Sequence, residues 1–232
     1  MPKKDAYLIG LNKLQKKISY KFKNNELLIS ALTHSSAKKS KKELDYERLE
    51  FLGDAVLDLA VAHLLIETYP KLKEGDLSKM RASLVNTESL AKIAREYEIG
   101  SLIKLSKGET QSGGSDKSSI LADVVEAIFG AIYLDSNFVK AFKSAKSIFQ
   151  DRVINVSPKD PKTELQEFLH IKDSLVPLYE LISTKGPDHA PTFTSVVKIN
   201  GEIYGTGFGV SKKTSEQAAA NQALLKLKEE KC

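Results

Sequence analysis

The spacing of apolar residues changes once along this chain, and that change divides the sequence in two. From Leu8 to about Arg152 apolar residues recur every three or four positions, the repeat of helices that bury one face. Later, PLYELISTKG, PTFTSVVKING and EIYGTGFGVS follow a period of two and are separated by Gly, Pro and Asn turns, as half-buried strands are. Between the two regimes, Val153 to Lys162 (VINVSPKDPK) holds two prolines, which a continuing helix does not tolerate. The expected fold is an all-α domain over 1–152, a linker over 153–159 and an α-β-β-β-α domain over 160–228. TELQEFLHI forms the first helix of that second domain, and Lys212 to about Lys228 the last.

Capping residues support the helical reading of the first region. Asn25 precedes ELLISALTH, Asp76 precedes LSKMRASLV, Thr87 precedes ESLAKIAREYE, Ser118 or Ser119 opens ILADVVEAIFGAIYLD, and Asn137 opens FVKAFKSAKSIFQDR.

Several function classes fall away on composition. The longest apolar stretch, Ala55 to Ile66, is broken by Asp58 and His63 and falls short of the roughly 20 residues a spanning helix needs; no membrane association is expected. The segment MPKKDAYLIG lacks the apolar core of a secretory signal, and the single cysteine, Cys232, has no disulfide partner. A cytoplasmic protein is expected. The net charge is +5, which suits an acidic partner such as nucleic acid. Residues 158–232 carry ten lysines and ten acidic residues, so any anion site there is a local patch.

The most informative segment is ERLEFLGDAVL, Glu47 to Leu57. Glu47, Glu50 and Asp54 stand at i, i+3 and i+7, so one helix face carries three carboxylates amid apolar residues. Like charges so placed repel unless a cation or proton compensates. Asp123 and Glu126 form a second pair at i, i+3 in the apolar run Ile120 to Leu134. Gly53 and Gly130 each cost about 1 kcal/mol relative to Ala inside a helix, which suits a close helix crossing. A crossing there would bring Glu50, Asp54, Asp123 and Glu126 together as four hard oxygen donors for Mg²⁺ or Mn²⁺, without the His or Cys set that favours zinc. Taken singly, each of these acids also reads as a solvated surface residue. Asp58 and Asp135 read as ordinary surface acids, His63 as a core or surface histidine, and His34 in LTHSSA has no evident partner.

ERLEFLGDAVL, with LTHSSA at 32–37, EGDLSKMRASLV at 74–85 and GETQSGGSDKSSILADVVEAIFGAIYLD at 108–135, resembles the bacterial ribonuclease III family. The match spans nearly the whole chain. The resemblance implies a Mg²⁺-dependent endonuclease for double-stranded RNA, with Mn²⁺ able to substitute and no small-molecule cofactor. It further implies a homodimer in which each active site cuts one strand of structured precursors such as ribosomal RNA stems, leaving 5′-phosphate and 3′-hydroxyl ends. By the same resemblance Glu50, Asp54, Asp123 and Glu126 are the metal-binding acids, and Asp54 and Glu126 the catalytic ones. Glu47 and Glu74 match accessory acids, and read equally as exposed surface residues. Phe51 matches an aromatic knob at the subunit interface, and reads equally as a core phenylalanine.

From about Asp160 to Lys228 the chain resembles a double-stranded-RNA-binding domain, through DPKTELQEFLH, GPDHAPTF and GTGFGVSKKTSEQAAANQAL. Such domains read A-form RNA by shape across two minor grooves and the intervening phosphates. Thr163, Gln166 and Glu167 match minor-groove contacts, and His189 matches the loop that enters a second minor groove. Lys212 and Lys213 follow Ser211 at a helix start, where the macrodipole disfavours cations; a bound phosphate would resolve that conflict. Glu216, on the same helix, makes the basic patch smaller. The rival reading is a catalytically silent RNA-binding or ribosome-associated relative. Retention of the four acids argues against it, since they repel the RNA backbone.

Overall fold

The computed structural model describes residues 3–38, 44–156, 161–173, 175–187 and 191–229. The chain forms two compact units, Met1–Val156 and Ser157–Cys232, each with its own apolar core. No helix among the described residues is long and apolar enough to cross a membrane.

The first unit is helical: α1 (Lys3–Lys17), α2 (Asn25–Ala31), α3 (Glu47–Thr68), α4 (Glu74–Val85), α5 (Thr87–Glu96), a short α6 (Lys107–Gln111), α7 (Ser118–Asp135) and α8 (Phe138–Asn155). Asn137 caps α8, its side chain accepting from the Lys140 N–H. Two other caps lie one residue earlier than the spacing suggested. Asn24 accepts from the Glu26 N–H at the start of α2, and Asn86 from the Ser89 N–H at the start of α5. α4 starts at Glu74, two residues ahead of Asp76, so both acids sit in its first turn, where the macrodipole favours them.

α7 is the central element. Its residues from Ile120 to Ile132 are all buried except Asp123 and Glu126, the pattern of a helix enclosed on all sides. Its most extensive packing is against α3, and the reason is the glycine pair. A Cβ on Gly53 would lie 1.8 Å from the Glu126 carbonyl oxygen, and one on Gly130 would lie 2.2 Å from that of Leu49. Leu49 therefore meets Gly130 while Gly53 meets Glu126. The helices run antiparallel with their backbones in contact.

Two readings need correction. α8 continues through Asn155, past the expected linker start at Val153, because Val153 is fully buried and its carbonyl accepts from the Tyr69 hydroxyl. Asp135 is not an ordinary surface acid. It accepts from the Tyr20 hydroxyl at 2.7 Å and from the Lys23 and Asn24 N–H groups at 2.8 and 2.9 Å, pinning the connection between α1 and α2 to the end of α7. Burial pushes its carboxyl up, but those hydrogen bonds outweigh the effect and hold it below its usual range.

The second unit runs α9 (Pro161–Asp173), β1 (Leu178–Lys185), β2 (Thr192–Ile199), β3 (Glu202–Gly209) and α10 (Lys212–Glu229). The sheet is antiparallel in the order β1-β2-β3. Asn200 and Gly201 join β2 to β3 with positive φ at both positions, as the tightest hairpin turns require. Leu165 and Leu169 of α9 pack with Val197, Ile199, Ala219, Ala223 and Leu224 to form the core.

Candidate active site

The α3–α7 crossing positions the acids. With no Cβ at Gly53 or Gly130 to hold the helices apart, the first turns of α3 and the middle of α7 share one face. Glu50, Asp123 and Glu126 offer carboxylate oxygens within 4.8 Å of one another, each side chain half-buried. Asp54 does not join that set. It is exposed, one turn beyond Glu50, at the rim.

The electrostatics register the crowding. Burial, then the charges of Asp54, Asp123, Glu50 and Asp58, push the Glu126 carboxyl up to about 8. Burial followed by the charges of Asp123, Glu47 and Asp54 raises Glu50. Asp123 is also raised by burial, partly offset by a hydrogen bond from Tyr46 and by the nearby His34. Carboxyls held above their ordinary range by burial, and at Glu50 and Glu126 also by one another's charge, mark a site short of positive charge. Three hard oxygen donors with no His or Cys among them fit a hard divalent cation that keeps several waters.

The flanking residues divide. Glu47 is exposed at the start of α3, and its charge raises Glu50. Glu74 is exposed on α4 and accepts from the Ser78 hydroxyl at 2.7 Å; among the described residues it is not part of the converging set. Phe51, next to Glu50, is 83% exposed, which rules out the core reading. It lines a cavity of about 820 Å³ together with Leu27, Leu44, Leu49, Leu52 and Leu134 and with the charged Lys38, Asp45, Glu47 and Arg48.

In the second unit Thr163, Gln166 and Glu167 are exposed along α9. Lys212 and Lys213 are exposed in the first turn of α10, behind Ser211, whose hydroxyl accepts from the Thr214 N–H at 3.2 Å. Glu216 is buried and pairs with Lys162 at 2.8 Å, tying the start of α9 to that of α10. His189 lies outside the described residues.

Sequence reasoning passed over Tyr46. Its ring is buried, and its hydroxyl donates to Asp123 Oδ2 at 3.3 Å. A tyrosine just ahead of a helix carries no periodic signal, and the partner lies 77 positions away.

Residues 24–156 match the family described as Ribonuclease-III-like, and residues 161–227 match the double-stranded RNA binding motif. Ribonuclease 3 of Proteus mirabilis (strain HI4320) is 44% identical over 222 residues, which cover 94% of this chain and 96% of that protein. Ribonuclease 3 of Actinobacillus pleuropneumoniae serotype 5b (strain L20) is 45% identical over 223 residues, with 94% and 98% covered. The crystal structure of the nuclease domain of ribonuclease III from Campylobacter jejuni superposes with a TM-score of 0.56 at 50% identity, covering 60% of this chain and 94% of that one. A second structure of the Campylobacter domain, described for structural flexibility in the region involved in its dimer formation, has the same score and identity and covers 60% and 95%. With a Ribonuclease-III-like helical unit, a double-stranded RNA binding motif after it, and Ribonuclease 3 relatives 44–45% identical over 94% of its length, the chain belongs to the ribonuclease III family of double-stranded-RNA endonucleases.

Proposed function

We propose that this endonuclease holds Mg²⁺ through Glu50, Asp123 and Glu126 and hydrolyses RNA phosphodiesters with water as the nucleophile. The observation that carries this reading is the convergence of those three half-buried carboxylates across the glycine crossing. A bound divalent cation, Mg²⁺ or in its place Mn²⁺, supplies two things: a water acidic enough to attack near neutral pH, and charge to stabilise the departing oxyanion. Glu126 and Asp123 fix the donor geometry from α7, and Glu50 closes it from α3. Asp54, exposed at the rim, accepts the proton that the attacking water loses. The new bond joins water oxygen to phosphorus, the bond to the 3′ oxygen breaks, and that oxygen takes a proton from solvent. The ends are 5′-phosphate and 3′-hydroxyl, as in the family. No side-chain nucleophile is required. Glu47 and Glu74 act as accessory acids near the duplex.

RNA is held by exposed groups of the second unit. Gln166, Thr163 and Glu167 face a minor groove, where a 2′-hydroxyl both donates and accepts. Lys212 and Lys213 clamp phosphate together with the N–H groups of the α10 start; for His189, outside the described residues, the family match alone supports contact with a second minor groove. The substrates are structured precursors such as ribosomal RNA stems, and the site of action is the cytoplasm, consistent with a single cysteine. The silent-binder alternative is not favoured, because a protein that only binds gains nothing from carboxylates that repel the RNA backbone. A long perfect RNA duplex tests the reading. With Mg²⁺ it is cut to short duplexes whose 5′ ends accept a new phosphate only after phosphatase treatment; with chelator it is bound and left whole. A duplex shifted but uncut in Mg²⁺ would contradict the proposal.

The chain works as a homodimer through Phe51. An 83% exposed phenylalanine in the wall of a groove lined by leucines as well as by Lys38, Asp45, Glu47 and Arg48 suits a two-fold contact, each ring packing on the leucines of the other copy. Burying one such ring stabilises the pair by about 2 kcal/mol, and two-fold symmetry counts it twice. Phe51→Ala is expected to raise the dimer dissociation constant by about 10²-fold or more, read by sedimentation equilibrium without RNA. An unchanged constant would exclude Phe51 from the interface.

A further inference from the structure

His34, the residue of LTHSSA without an evident partner, has one in the fold. Its ring meets that of Tyr46 edge-on, centroids 5.6 Å apart. His34 is itself held in place: its N–H donates to the Lys104 carbonyl at 3.0 Å, and its Nδ1 accepts from the Ser36 N–H at 3.1 Å. Tyr46 is tied at three points. Its N–H donates to the Thr33 carbonyl at 3.0 Å, its carbonyl accepts from the Glu50 N–H at 2.8 Å, and its hydroxyl donates to Asp123 at 3.3 Å.

We infer that Tyr46 is a positioning residue for the metal site, orienting the Asp123 carboxylate from behind while the His34 ring braces Tyr46. The inference rests on the reading of Asp123 as a metal ligand. Asp123 has free torsions about its side chain, and α7 alone does not select among its rotamers. A donor fixed to α3 does select. The hydroxyl engages Oδ2, so the carboxylate that meets Glu50 and Glu126 is oriented before a cation arrives. Because the same tyrosine accepts from the Glu50 N–H, it also sets the first turn of α3, which carries the second ligand. Outer partners that orient ligands in this way commonly change metal affinity by about 10- to 100-fold when removed.

The test is Mn²⁺ binding to the full chain without RNA, measured by the loss of the free-Mn²⁺ electron paramagnetic resonance signal. Tyr46→Phe removes one oxygen and keeps the ring against His34. It is expected to weaken Mn²⁺ binding by about 10-fold or more, while binding to duplex RNA in chelator stays at the wild-type level. Asp123→Asn serves as the second background. If Tyr46 acts through Asp123, removing its hydroxyl there changes Mn²⁺ affinity no further. Wild-type affinity in Tyr46→Phe, with affinity lost in Asp123→Asn, would overturn the inference and leave the ligand reading standing. Equal losses from Tyr46→Phe in both backgrounds would also overturn it, pointing to general loosening of the fold. Wild-type affinity in Asp123→Asn would overturn the ligand reading and the inference together.

Discussion

Glu126→Gln is expected to abolish cleavage of a long RNA duplex in Mg²⁺ while leaving duplex binding intact. Gln is nearly isosteric, so α7 keeps its packing, but it contributes no charge to the site. Losing one of three converging carboxylates weakens the hold on a divalent cation and misplaces the reacting water; a drop of about 10³-fold or more in the cleavage rate follows. The same substitution has an opposite effect on stability without metal, and the sign follows from the carboxyl's position at about 8. A carboxyl raised in the folded state contributes stability that is fully present below its unfolded value, about 4.3, and lost as pH rises through about 8. Above pH 8 the wild-type protein without metal carries a charge its surroundings oppose, and the variant does not. Glu126→Gln should therefore be more stable than wild type there, by about 1–3 kcal/mol after solvent screening, and the difference should vanish below about pH 4. Added Mg²⁺ should raise the melting temperature of the wild type and not of the variant. Equal cleavage by both proteins, or a variant that melts lower at pH 8.5 without metal, would contradict this account.

The second large effect concerns the crossing. Gly53→Ala should destabilise the protein by about 3 kcal/mol or more. On helix propensity alone the sign is the reverse, since Ala exceeds Gly by about 1 kcal/mol. Packing decides, because the new methyl would lie 1.8 Å from the Glu126 carbonyl oxygen and 2.9 Å from the Gly130 nitrogen, backbone atoms that cannot rotate away. The two helices must separate, and the three carboxylates separate with them. Gly75→Ala is the control: a methyl there has nothing within 4 Å, and the change should be neutral or slightly stabilising. The chain has no tryptophan, so urea unfolding is followed by circular dichroism at 222 nm. A Gly53→Ala protein as stable as wild type would mean that the helices do not cross there.

These two predictions show how far the sequence was legible. The acids at i, i+3 and i+7 on α3 and at i, i+3 on α7, together with a glycine within each apolar run, sufficed to anticipate a crossing with carboxylates on it. Periodicity places residues on faces, however, and does not say which acids on a face come within ligand distance. Glu50 does, whereas Asp54, one turn further along α3, stands at the rim. Phe51 was open between core and surface because α3 is apolar on several sides; only its 83% exposure separates the two. Asp135 and His34 were unreadable for a shared reason. Their partners, Tyr20 at a separation of 115 and Tyr46 across a loop, are contacts no local pattern encodes. The hairpin at Asn200 and Gly201 was readable because its turn chemistry is local, whereas the irregularity between Leu181 and Ser183 in β1 has no such mark.

The central claim is that Glu50, Asp123 and Glu126 hold one divalent cation between α3 and α7. Anomalous scattering from a crystal of the full chain grown with Mn²⁺ tests it most directly. The account predicts a manganese peak within coordination distance, about 2.0–2.2 Å, of carboxylate oxygens from all three residues. A protein that cleaves duplex RNA with Mn²⁺, yet shows its manganese bound elsewhere and these three carboxylates unliganded, would contradict it.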